Sequence, residues 1–226
     1  MTHSLHRRGT RKSLERDYVL FVCYDTIGTD IQRRASPETR KTYAPPTRKA
    51  LQICAGHNPV CLATSDGATE RKLRYMRGWT SGNTVDEILN AIEPCSCSAV
   101  YTSKKDMQGA LRGLKEADLG LSVVVSGIFD DVFEGCSQIG VGPHTVNMSL
   151  GTFGKTERMA EAKILEIVTM CGHSYVSPSL VKHMIDGVTN GRLTPEQAAV
   201  ELGRQCTCNF FNVDRAAQLI AEYLAS

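Results

Sequence analysis

Between residues 60 and 150 short apolar runs alternate with amphipathic stretches, and beyond residue 156 no such run recurs. Strands are expected at 18–24, 60–64, 98–102, 121–129 and 145–150. Between them come a charged helical stretch ERKLRYMRGW, a helix opened by the capping box Thr84-Val85-Asp86-Glu87, and a helix capped by Ser103. In that last helix Met107, Ala110, Leu111, Leu114 and Ala117 recur at helical spacing. A further short helix is expected over 130–136. Strand and helix in alternation predict an α/β fold, with a parallel or mostly parallel sheet covered by helices. The Pro45-Pro46 pair marks 26–49 as a loop, with a short helix over 47–54.

The last seventy residues carry four helical patterns, at 157–171, 178–188, 195–204 and 212–225. Ser177-Pro178 and Thr194-Pro195 place a capping side chain before a proline that starts a helix, and Asn212 caps the fourth. Short links favour antiparallel neighbours, so a small C-terminal helical bundle follows the sheet. The expected organisation is a basic tail over 1–16, an α/β domain over 17–156 and a helical domain over 157–226.

Charge supports that division. The first 49 residues hold eleven Lys and Arg against five Asp and Glu, while the whole chain of 226 residues is only +2. So small a net charge, with aromatic residues at 6%, argues against a nucleic-acid binder. The basic segment precedes the run YVLFVCY, yet Asp25 follows at once and no small-residue cleavage site appears, so a signal peptide is not expected. No apolar run approaches the ~20 residues needed to span a bilayer. A membrane partner is therefore not expected, and the compartment expected is the cytoplasm.

Nine cysteines then read as thiols or metal ligands rather than disulfides. In an up-down-up-down bundle the first and third connections lie at one end. They carry Cys171-Gly172-His173 and Cys206-Thr207-Cys208. Three sulfurs and an imidazole suit tetrahedral zinc, and three cysteines alone suit an iron–sulfur cluster with one iron open. Packing as small hydrophobes is the alternative for each. A second possible group is Cys54, His57, Cys61, Cys95, Cys97 and Cys136, which would share the N-terminal edge of a parallel sheet. Cys23, in mid-strand, is expected in the core.

Ligands of open parallel sheets bind beyond the carboxyl ends of the strands. The loops there offer Ser103, Gly151, Gly154, Lys155 and Thr156 as contacts for a small anionic molecule. The stretch from Ser149 to Thr156 is one glycine short of a phosphate-binding loop. His144 and His183 are assigned no chemistry.

The combination suits a small-molecule metabolic enzyme of lyase or sulfur-handling type, with cysteine-bound zinc or an iron–sulfur cluster. The alternatives are a metal-free thiol redox or sulfur-carrier protein, and a non-catalytic ligand-binding protein with structural zinc.

Overall fold

The computed structural model describes residues 7–24 and 36–225. Residues 1–6 of the expected basic tail, with His3 and His6, and residues 26–35 of the expected loop lie outside the described residues. Five strands form one sheet: β1 (Tyr18–Tyr24), β2 (Cys61–Asp66), β3 (Arg71–Met76), β4 (Ser96–Tyr101) and β5 (Leu121–Ser126), in the order β3-β2-β4-β1-β5. Every described pairing is antiparallel.

The parallel sheet expected from the alternation is therefore overturned, for a topological reason. β1 and β2 both run against β4, and β4 and β5 both run against β1. Hence β1 and β2 point the same way with β4 inserted between them, and β4 and β5 point the same way with β1 inserted between them. Each strand–helix–strand unit is real, but each is split by a strand from the other. Alternation along the chain reports the crossover and is silent on what fills the gap.

Local differences have local causes. Arg71–Met76 is a strand, not a helix: Gly67 and Glu70, the latter at φ 55°, turn the chain so that Asp66 pairs with Arg71 and Cys61 with Met76. Its lysine and arginines suit an edge position, where charge discourages pairing with another chain. Helix α2 (Pro37–Ala55; α1 is the single turn Arg11–Leu14) runs straight through Pro45-Pro46. Ser36 caps it by accepting the Thr39 N–H, and buried Ala44, Thr47, Ala50, Leu51 and Cys54 hold it down despite two missing donors. Residues 145–150, expected as a strand, join no ladder and are exposed.

The sheet is the middle of three layers. Alternate residues of β1 face opposite ways, as the pleat requires. Leu20 and Val22 pack with Leu62, Ala99 and Tyr101 beneath α2 and α4 (Lys104–Ala117), whose Met107, Ala110, Leu111 and Leu114 are buried, and α5 (Phe129–Gln138) closes this side. A short helix α3 (Val85–Leu89), held by the capping box of Thr84 and Glu87, precedes β4.

Val19 faces the other way, with Cys61, Met76 and Val100, into a core built from four helices: α6 (Ala162–Val168), α7 (Pro178–Thr189), α8 (Pro195–Arg204) and α9 (Val213–Leu224). Consecutive helices pack together and α9 returns to α6. Gly203 lets α8 approach the sheet. A Cβ there would lie 2.9 Å from the Met76 sulfur and 3.0 Å from Val213.

The N-terminal segment is tied across the bundle by buried charge. Arg215, fully buried, donates to Asp17 at 2.8 Å, and Arg7 and Asn212 bond to the same carboxylate. Among the described residues no helix is long and apolar enough to cross a membrane.

Candidate metal centre at the end of the bundle

The connections α6–α7 and α8–α9 lie together, against β3 and the N-terminal segment. The Cys206 and Cys208 sulfurs are 3.5 Å apart, and the Cys208 sulfur is 3.6 Å from Nδ1 of His173. The Cys171 thiol hydrogen-bonds to Cys206. Cys171 and Cys206 are buried, Cys208 is half-buried and His173 is exposed.

The three thiols shift one another. The hydrogen bond with Cys206, with burial, holds the Cys171 proton on well above the ordinary thiol range. Cys206 is also shifted up. The hydrogen bond with Cys171 would lower it, but that with Cys208 and burial outweigh it. Cys208 is brought down to about 7. The Cys206 hydrogen bond is the main cause, opposed by burial and assisted by the Phe210 N–H and the charge of Lys72.

Backbone donors aim at the sulfurs. The N–H groups of His173 and Tyr175 bond Cys171, and that of Phe210 bonds both Cys206 and Cys208. Such bonds stabilise thiolate over thiol. Residues from elsewhere hold the turns in place. The Arg7 guanidinium donates to the carbonyls of Met170 and Phe210, one from each connection. Asn209, wholly buried, donates its amide to the Leu62 and Tyr75 carbonyls at 3.1 and 2.9 Å. Arg74 donates to the Arg204 and Cys206 carbonyls, both at 3.2 Å, and lies over the Trp79 ring.

These contacts form a chain from Cys171 to His173. Among the described residues no group of three or more His, Cys, Asp and Glu side chains is disposed to hold a metal ion.

The second cysteine group is dispersed. β2 and β4 are antiparallel, so their first residues lie at opposite ends of the sheet rather than along one edge. Cys54 and Cys97 do meet, wholly buried beneath α2, where their mutual hydrogen bond and burial drive the Cys97 thiol upward. Cys61 is on the opposite face and donates to the Phe211 carbonyl at 3.2 Å. Cys95 donates to the Glu93 carbonyl at the far end of β2. Cys136 packs in α5, and the His57 ring lies on Gly109 of α4. Cys23 is half-buried in β1.

Among the described residues no hydrogen bond or ion pair links Ser103 to Gly151, Gly154, Lys155 or Thr156. Ser103 caps α4 by accepting the Asp106 N–H at 3.3 Å. Gly151, Gly154, Lys155 and Thr156 lie beside the N-terminal segment, where Arg8 donates to Thr152 at 2.6 Å. There the chain makes only a three-residue 3₁₀ turn, Thr156–Arg158, with no strand before it, so the context of a phosphate-binding loop is missing. His144 and His183 are exposed.

Sequence reasoning missed Arg7, Lys72, Arg74 and Asn209. Each is brought to the cysteines by long-range packing and carries no local signal. It also missed a likeness between CGHSYVS (171–177) and CTCNFFN (206–212), which was legible.

No family model, no curated protein and no solved structure matches the chain.

Proposed function

We propose that the protein binds one zinc ion at the end of the helical bundle, through Cys171, His173, Cys206 and Cys208, and that this centre clips the α6–α7 and α8–α9 connections together. Spacing supports it best. Ligands sharing a tetrahedral zinc, at ~2.3 Å for sulfur and ~2.0–2.1 Å for nitrogen, stand about 3.8 Å apart for two sulfurs and about 3.6 Å apart for sulfur and nitrogen. The observed separations are 3.5 and 3.6 Å. Sulfurs bound to different irons of a cubane cluster would stand much further apart, so a single metal suits Cys206 and Cys208 better.

Amide donors on all three sulfurs, and the charge of Lys72 near Cys208, offset part of what holds the Cys171 and Cys206 protons on, toward the thiolates that zinc requires. Nine cysteines, none of them in a disulfide, fit a reducing, cytoplasmic setting. No described contact joins Ser103 and Lys155, so the proposed function rests on the metal centre alone.

A metal-free dithiol is the second reading, favoured by the close approach of Cys208 and Cys206. Oxidised by a disulfide-bearing partner, the two would form a Cys206–Cys208 disulfide, releasing two protons and passing two electrons to the partner as its disulfide becomes two thiols.

One experiment separates the two. Zinc, iron and acid-labile sulfide are measured per chain after anaerobic purification of the wild type and Cys206→Ser. One zinc per wild-type chain, lost in the variant, is the expected result. Iron with sulfide would replace zinc by a cluster. No metal in either protein would overturn the proposal and leave the dithiol.

A further inference from the structure

The two connections repeat one local design. Cys171 N–H bonds the Val168 carbonyl at 3.1 Å and Cys206 N–H bonds the Gly203 carbonyl at 3.0 Å, each reaching three residues back. Three residues on, Ser174 N–H bonds the Cys171 carbonyl and Asn209 N–H bonds the Cys206 carbonyl, both at 3.0 Å. Those residues are left-handed, at φ 60° and 59°. The fifth residue, Tyr175 or Phe210, donates its N–H to the leading sulfur. The sixth, Val176 or Phe211, is fully buried. The seventh, Ser177 or Asn212, caps the next helix by accepting the N–H three residues further on.

The two turns thus match at the leading cysteine, the left-handed residue, the sulfur donor, the buried residue and the helix cap. A chance match at one rare left-handed position would not also bring matching sulfur donors and helix caps. In this alignment His173 falls on Cys208.

The surroundings differ. Phe210 is buried edge-on against Phe21, with ring centroids 5.8 Å apart. Tyr175 is exposed and stacks with exposed His173 at 5.6 Å. One turn is therefore built into the sheet, and the other faces outward.

Resting on the zinc reading above, we propose that the two turns are equivalent half-sites, each supplying a cysteine at its first position and a second ligand at its third, and that position 173 sets the metal preference. An imidazole there makes the set Cys₃His. A thiolate would make it Cys₄, softer and more negative, and suited to softer cations. Because His173 is exposed, the exchange leaves the core undisturbed.

The test uses Co(II) as the probe, titrated into metal-free full-length wild type, His173→Cys and Cys208→His, with circular dichroism as the check on folding. Sulfur-to-cobalt charge-transfer absorbance counts thiolate ligands. His173→Cys is expected to bind one Co(II) with that absorbance raised by about a third, and Cys208→His to bind one with it lowered by about a third. Competition between Cd(II) and Zn(II) should move toward cadmium by about tenfold or more in His173→Cys, and the opposite way in Cys208→His.

Wild type that binds Co(II), with absorbance unchanged in His173→Cys, would overturn the equivalence and leave the zinc reading standing. Wild type that binds no Co(II) would overturn both. If Cys208→His fails to fold, the exposed His173→Cys substitution decides alone.

Discussion

Two groups of cysteines meet on opposite faces of the same sheet, and they differ in what surrounds them. Under α2, Cys54 and Cys97 are wholly buried, hydrogen-bonded to each other, and packed in one core with Leu51, Leu62, Ala99 and Met107. The Cys54 hydrogen bond and burial penalise the Cys97 thiolate, and the pair packs as small apolar side chains. At the end of the bundle, Cys171, Cys206 and Cys208 also come within bonding reach. There they receive backbone N–H groups, the charge of Lys72 and an imidazole. Proximity of sulfurs is common to both faces. What separates a packing pair from a candidate ligand set is the supply of donors and positive charge.

The largest expected effect tests that contrast directly. With free zinc about a thousandfold above its dissociation constant, the wild type should gain ~4 kcal/mol of unfolding free energy relative to chelator. Cys206→Ser should lose that zinc-dependent gain and Cys97→Ala should keep it. Urea unfolding of the three proteins with and without zinc is the measurement, and equal gains in all three would erase the difference between the faces.

Next in size is Gly203→Ala. The added Cβ would press on Met76 and Val213, pushing α8 from the sheet at a cost of about 1–3 kcal/mol. Because α8 leads directly into Cys206, zinc affinity should fall with it. Loss of stability at full zinc affinity would show that the turn is held without help from the helix.

A smaller effect comes from acid. Asp66, buried at the end of β2, accepts N–H groups from Glu93, Ile92 and Ala68 at 2.9, 3.2 and 3.1 Å. Burial alone would raise its pKa, but these bonds win and hold it below the usual carboxylate value. A depressed folded pKa contributes stability that is complete above the unfolded value, ~3.9, and is lost as pH falls through the folded one. Asp66→Asn should cost about 1–3 kcal/mol at pH 7 and flatten this acid dependence. Zinc affinity weakens on acidification for another reason, because each thiol must release its proton. Comparing stability and zinc uptake between pH 7 and pH 3 in this variant separates the sheet's acid response from that of the centre.

The smallest effect concerns reactivity. In metal-free protein Cys208 should be alkylated with a half-maximal rate at a pH of about 7, while Cys54 and Cys97 should label only on unfolding. Lys72→Met should move the Cys208 midpoint upward. Mass spectrometry of iodoacetamide-treated protein reads all three sites, and early labelling of Cys97 would remove the distinction between the groups.

Much was settled by the chain alone. β1 lies at 18–24 as its apolar run demands, and α7 to α9 begin where Ser177, Thr194 and Asn212 cap them, because strand runs and helix caps are local. A bundle with short links puts its first and third connections at one end, and the geometry of short antiparallel helices requires no more than that. The tertiary structure alone decided the sheet, since inserting β4 between β1 and β2, and β1 between β4 and β5, depends on hydrogen bonds between segments tens of residues apart. It also dispersed Cys54, Cys61, Cys95 and Cys136, and carried Arg7, Lys72 and Asn209 to the cysteines of the bundle. Those placements follow from burying both faces of the sheet at once, a condition on the whole chain that no local pattern expresses.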